Sequence, residues 1–101
     1  MALKMTTTNS GSSNKWKIEF TQTAEKQFEK LDKSMRQTIN RYISERLATE
    51  EDPRRFGKAL SGNMKEFWRY RLGDYRMICE IQDKKLLILV VRLAHRSHVY
   101  D

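Results

Sequence analysis

The sequence predicts an α+β domain: an N-terminal strand, a two-helix hairpin, and a small antiparallel, mixed-edge sheet of about four strands with the helices on one face. Three patterns carry that prediction. Apolar residues alternate at Trp16–Phe20 and again through Phe67–Gln82, the period-two signature of a strand with one buried side. Between them, Ala24, Phe28, Leu31, Met35, Ile39, Tyr42, Ile43 and Leu47 step by three or four, which lines one side of a helix. Leu86–Ala94 is apolar almost throughout, as in a central strand covered on both faces. A chain of 101 residues holds one domain. At this size only about 60–65% of the unfolded surface is buried, so the core is thin and a working site lies near the surface.

Taken in order, Met1–Lys15 is rich in Thr, Ser, Asn and Gly. It is read as a disordered leader or a vector-derived remnant, outside a domain of residues 16–101. Trp16, Ile18 and Phe20 share one face of the first strand. Thr21 or Thr23 caps the helical stretch, and Asp32 or Ser34 breaks and re-caps it, which predicts helices over 23–31 and 34–48. Pro53 ends the helical region, with a further turn around Phe56, Ala59 and Leu60. In the next strand Trp68, Tyr70 and Leu72 face one way and Phe67, Arg69 and Arg71 the other. Gly73-Asp74 marks a tight hairpin. The strand after it sets Tyr75, Met77, Cys79 and Ile81 against Arg76, Ile78 and Glu80. Asp83-Lys84 then turns the chain into the apolar strand, and His95–Asp101 closes it.

Charge narrows the class of function. Lys and Arg number 20 against 13 Asp and Glu, a formal net charge of +7. Residues 16–52 carry seven bases and eight acids, whereas residues 53–101 carry eleven bases, seven of them Arg, and five acids. Arginine favours bidentate contact with phosphate, so nucleic acid is the first expected partner and an acidic protein the second. The longest apolar run, Leu86–Val91, is far shorter than the roughly 20 residues a bilayer-spanning helix needs. The single cysteine, Cys79, excludes an internal disulfide and a multi-cysteine metal site, and it fits a reducing compartment. Among apolar neighbours it reads as a buried structural thiol.

Arginine placement is the informative feature. Arg69 and Arg71 share a strand face, Arg76 sits on the next strand of the same ribbon, and Arg96 ends the last one. Four guanidiniums on one concave face are costly without an anion; the alternative is that Glu66, Asp74 and Glu80 pair with them as ordinary surface ion pairs. Histidine as a residue type ionises near neutrality, so His95 and His98 are candidates for acid–base work. Their extended setting, with no cysteine or clustered carboxylate nearby, does not suggest a metal. Tyr100 is a polar-tipped aromatic near the end. Trp16, Phe20, Trp68 and Tyr70 read as core rather than base-stacking platforms. No glycine loop of the phosphate-cradling kind is present.

Three runs in this order and spacing resemble the RelE/ParE toxin superfamily: Ala59-Leu60-Ser61-Gly62, Phe67-Trp68-Arg69-Tyr70-Arg71-Leu72-Gly73-Asp74-Tyr75-Arg76, and Ala94-His95-Arg96-Ser97-His98-Val99-Tyr100. The resemblance covers residues 16–101, and His95-Arg96 with Tyr100 is similar to the RelE branch. It implies a type II toxin, a ribosome-dependent endoribonuclease that cleaves translated messenger RNA without metal or cofactor. It also implies a cytoplasmic setting and a RelB-like antitoxin as partner, with the toxin alone monomeric and assemblies formed with the antitoxin. By motif position, Arg76 would bind the scissile phosphate, Arg96 would offset its transition-state charge, and Tyr100 would meet the ribose 2′-hydroxyl. Arg69 and Arg71 stand where RelE resembles a Lys-x-Lys pair, so with Lys58 and Lys65 they would hold the RNA backbone. Arginine is a poor proton carrier, which makes His95 the expected acid or base. The alternatives are a ParE-like toxin that poisons DNA gyrase on the same fold, or a non-catalytic basic module that binds RNA or protein.

Overall fold

The computed structural model describes residues 15–60 and 66–96; the leader, Lys65, His98 and Tyr100 lie outside the described residues. In chain order it contains β1 (Lys17–Phe20), α1 (Gln22–Glu29), α2 (Lys33–Tyr42), β2 (Lys58–Ala59), β3 (Phe67–Leu72), β4 (Tyr75–Gln82) and β5 (Leu87–His95). A π-helical turn at Ile43–Leu47 prolongs α2, and 3₁₀ turns occupy Pro53–Phe56 and Asp83–Lys85. The strands form one sheet in the order β1-β5-β4-β3-β2. β1 runs parallel to β5 and the other pairs are antiparallel. The α+β class and the mixed edge agree with the sequence reading, with five strands in place of about four. The extra strand is β2, where the sequence predicts only a turn, because two residues are too few to display a period.

Local chemistry sets the helix boundaries. Thr21, in an extended conformation, accepts a hydrogen bond from the Ala24 amide at 3.1 Å and so caps α1. Asp32 does the same for α2, accepting from the Met35 amide at 2.9 Å. Each cap contributes about 1 kcal/mol. The buried stripe Ala24, Ile39, Ile43 and Leu47 meets Ile18, Tyr70, Leu72, Met77, Cys79, Ile81, Ile88, Val90 and Leu93 of the sheet, and Trp16 closes one end. Each such large apolar side chain contributes roughly 1.5–3 kcal/mol on burial. At the β3–β4 turn, Gly73 adopts φ +61°, a left-handed conformation that glycine takes without strain. Tyr70, fully buried, donates from its hydroxyl to the Pro53 carbonyl at 2.8 Å. A side chain at Gly57 would begin only 2.8 Å from the Tyr70 ring, which keeps that approach glycine-only.

One irregularity decides which residues face the helices. Ile78 is in register with Arg92, yet Cys79 is in register with Val90, so Val91 is an extra residue in β5: a β-bulge. Before it, Ile88 and Val90 point to the helices; after it, Leu93 and His95 do. Arg92 and Ala94 are thereby turned to the opposite side. The start of α1 fastens the bulge. Thr21 donates from its amide to the Val90 carbonyl at 2.9 Å and from its hydroxyl to the Val91 carbonyl at 3.3 Å. Gln27 Oε1 accepts from the Leu93 amide at 2.7 Å.

The expectation that β5 is covered on both faces is corrected by this arrangement. The core cluster lies on one face only. Ile78 and Leu87 are buried on the other face, outside the cluster, and Leu89 and Val91 are half-buried. Strand neighbours and long side chains, not a second layer, shield them. Among the described residues, no helix is long and apolar enough to cross a membrane.

Candidate nucleic-acid interface

The open face of the sheet can be read row by row from the strand register, since directly paired residues project to the same side. Nearest the Gly73-Asp74 turn lies the row Ala94, Arg76, Arg71. The next row is Arg92, Ile78, Arg69, Lys58. Beyond the bulge come Glu19, Leu89, Glu80, Phe67, and then Lys17, Leu87, Gln82. The first two rows hold five cations and no carboxylate. The last two hold both acids of the face together with the half-buried Phe67 and Leu89 and the buried Leu87. One half of the face is thus cationic, while the other is mixed and apolar.

Arg76 is the buried member, 7% exposed. Its Nη1 donates to the carbonyls of Gly73 and Tyr75, each at 3.0 Å, so it ties the hairpin to its own strand. Among the described residues no carboxylate pairs with it. Directly opposite stands Arg71, exposed on β3. Like charges in that position are destabilising by up to about 1 kcal/mol, a cost that a bound anion removes. Arg69, half-buried, and Lys58, exposed, continue the cationic surface.

The four arginines expected to converge therefore do so in part. Arg69, Arg71 and Arg76 share the face, whereas Arg96 follows the end of β5 beside the hairpin. Its amide donates to the Asp74 carbonyl at 2.7 Å, and its Nε lies 3.9 Å from Asp74 Oδ1. Both side chains are well exposed, 63% and 69%, and an ion pair of that length in solvent contributes little. Glu80 accepts from the Gln82 amide nitrogen at 3.3 Å. Of the proposed acid partners, Asp74 approaches Arg96 in this way.

His95 stands on the helix side of the sheet, in register with Tyr75, their rings edge to face at 5.5 Å. It shares the hairpin end with Arg76 but not its face. Lys65 and Tyr100 fall outside the described residues. Arg92 was not singled out by the sequence, which carries no signal for it: the alternation through Ile88 and Val90 would send Arg92 inward, and only the bulge turns it out. Among the described residues, no group of three or more His, Cys, Asp and Glu side chains is placed to hold a metal.

Away from this face, Arg46, Arg54 and Arg55 are neutralised or stacked. Arg54 bonds Asp83 at 2.6 Å and Asp52 at 3.3 Å and lies 5.9 Å from the centre of the Trp68 ring, joining the Pro53–Phe56 turn to the β4–β5 turn. The hydrogen bond to Asp83 holds its guanidinium above the usual arginine range. Arg55 pairs with Glu51, and Arg46 lies over the Phe56 and Tyr42 rings. Burial raises the Cys79 thiol and the Tyr70 phenol well above their ordinary values, so neither is a nucleophile or acid at neutral pH.

Three comparisons bear on this architecture. The family model described as the ParE toxin of the type II toxin–antitoxin system parDE matches residues 18–100. Toxin RelG of Mycobacterium tuberculosis is 28% identical over 83 residues, spanning 82% of this chain and 93% of RelG. The toxin–antitoxin complex RelBE2 of Mycobacterium tuberculosis matches with a TM-score of 0.73 at 24% identity, covering 85% of this chain and 97% of that one. The isolated E. coli RelE toxin matches with a TM-score of 0.64 at 20% identity, covering 80% and 83%. The RelE–RelB complex from Pyrococcus horikoshii gives 0.63 at 21% identity, covering 84% and 99%. These structures share the fold of β1 through β5.

Proposed function

The chain belongs to the ParE toxin family of type II toxin–antitoxin systems, and on that premise we propose that it is a ribosome-dependent endoribonuclease that cuts translated messenger RNA in the cytoplasm. The observation that carries the proposal is the cationic half of the open face, whose two rows hold five cations among the described residues and where Arg71 and Arg76 stand in register. The likeness to RelG and to the RelE toxins supports it.

RNA cut by its own 2′-hydroxyl needs no protein nucleophile. The 2′-oxygen loses its proton and bonds to phosphorus, the bond from phosphorus to the 5′-oxygen breaks, and the departing oxygen takes a proton. A 2′,3′-cyclic phosphate and a 5′-hydroxyl end result. The protein must position the phosphate, offset its developing charge and move protons. Arg69, Arg71, Lys58 and Lys65 hold the backbone in this reading. Arg76 and Arg96 meet the scissile phosphate from the hairpin end. Tyr100 attends the 2′-hydroxyl, and His95, at the same end of the sheet, exchanges the proton. With arginines supplying most of the site, proton transfer is the weak step, which fits an enzyme that acts on substrate already held by the ribosome. A RelB-like antitoxin is the expected restraint, since the matched RelBE2 and RelE–RelB structures are complexes of toxin with antitoxin. The cationic half calls for acidic residues on that partner.

A translating extract tests this. The wild-type chain should cut messenger within codons and leave the ends described above, while Arg76→Ala and Arg96→Ala should slow cutting at least 100-fold. Full cutting by both variants removes the roles given to them. Intact messenger with altered DNA supercoiling would instead favour the gyrase-directed branch.

A further inference from the structure

The sequence does not single out Arg92; the bulge at Val91 does. We propose that Arg92 is a further contact for the RNA backbone, holding a phosphate beside the one at Arg71 and Arg76, an inference that rests on the RNA reading above. Three observations support it. First, without the extra residue, Arg92 would keep the phase of Ile88 and Val90 and point into the core. Bulges beside working sites re-aim side chains in this way, and this one is fastened by two hydrogen bonds donated by Thr21 and one accepted by Gln27.

Second, the register sets Arg92 diagonal to Arg76 and across Ile78 from Arg69. Those separations are about 7–8 Å for the diagonal and about 10 Å across two strand spacings. Such a lattice of guanidiniums suits single negative charges repeated along a backbone. Third, exposure divides the cations. Arg76 is nearly enclosed, whereas Arg92 and Arg71 are exposed, so a strand arriving from solvent meets these two first.

The test uses the purified full chain and a labelled single-stranded RNA with 2′-O-methyl riboses, which cannot be cut, titrated over a range of salt. Arg92→Ala should weaken binding about tenfold and reduce the log–log salt slope by about 0.7, with the thermal midpoint unchanged. Arg92→Lys should restore the slope and part of the affinity. Arg41→Ala removes the same charge from an exposed position on α2 and should change little. If Arg92→Ala binds as wild type while Arg71→Ala loses affinity and slope, the role of Arg92 fails and the reading of the face stands. If Arg41→Ala is as damaging as Arg92→Ala, the attraction is diffuse and the proposed contact fails. If Arg92→Ala weakens only binding to an acidic peptide, the position serves a protein partner, which also overturns the proposal. Failure of the wild-type chain to bind, or of every open-face variant to alter binding, would sink the RNA reading itself.

Discussion

The two faces of the sheet are made by the same strands, yet they do opposite work. On β4, Met77, Cys79 and Ile81 enter the core, while Arg76, Ile78 and Glu80 line the open side. The helix face carries the apolar cluster, and its substitutions should be felt in folding. The open face sets Arg71 and Arg76 in register, which weakens the fold slightly and which the proposed RNA contact would offset. A further contrast lies among the arginines. Arg54 and Arg55 have carboxylate partners at the rim. Arg71 instead faces another arginine. Stability and the proposed recognition are thus assigned by residue parity, and parity is reset once, at Val91.

The largest effect should come from breaking the helix face. Tyr70→Ala removes a fully buried ring and the bond to Pro53, and should cost about 3–5 kcal/mol, read by chemical denaturation. For a domain this small, that is enough to leave much of the chain unfolded at 37 °C. A loss below 1 kcal/mol would mean the core does not depend on this contact.

The joint between the faces comes next. Thr21→Val deletes both the α1 cap and the hydroxyl bond to the Val91 carbonyl, and should cost about 1–2 kcal/mol. If the bulge needs that bond, RNA affinity falls with it. Unchanged stability would show that the residue 21 amide and Gln27 hold the bulge without the hydroxyl.

A milder effect follows pH. The Cys79 thiol stays protonated in the fold because burial raises it, whereas in the unfolded chain it ionises above about pH 9. The folded state then binds more protons, so stability is level below pH 9 and falls above it by up to about 1.4 kcal/mol per unit. Tyr70 adds to the fall above about pH 10 for the same reason. Cys79→Ala should flatten the decline between pH 9 and 10, whatever it costs in packing; an unaltered slope would assign the decline to other groups.

The sequence made some of this legible and hid the rest for identifiable reasons. Thr21 and Asp32 announce the helix starts because capping is local chemistry. Gly73 announces the hairpin because few other residues accept its φ. The arginines on β3 and the first residues of β4 alternate cleanly, so their shared face could be anticipated. The parallel pairing of β1 with β5 could not, since it joins segments nearly seventy residues apart. Nor could the bulge, which depends on hydrogen bonds from α1 to β5. His95 and Arg92 exchange the faces that simple alternation would give them for that single reason.

The central claim is that the cationic half of the open face does the work and contributes little to the fold. The most direct test is the double variant Arg69→Ala/Arg71→Ala, compared with wild type after brief expression, with transcript 5′ ends mapped and folding stability measured. The claim predicts wild-type cuts inside translated codons, their loss in the double variant, and stability within about 0.5 kcal/mol of wild type. Undiminished cutting by the double variant, or growth arrest by the wild type with transcripts intact, would contradict it.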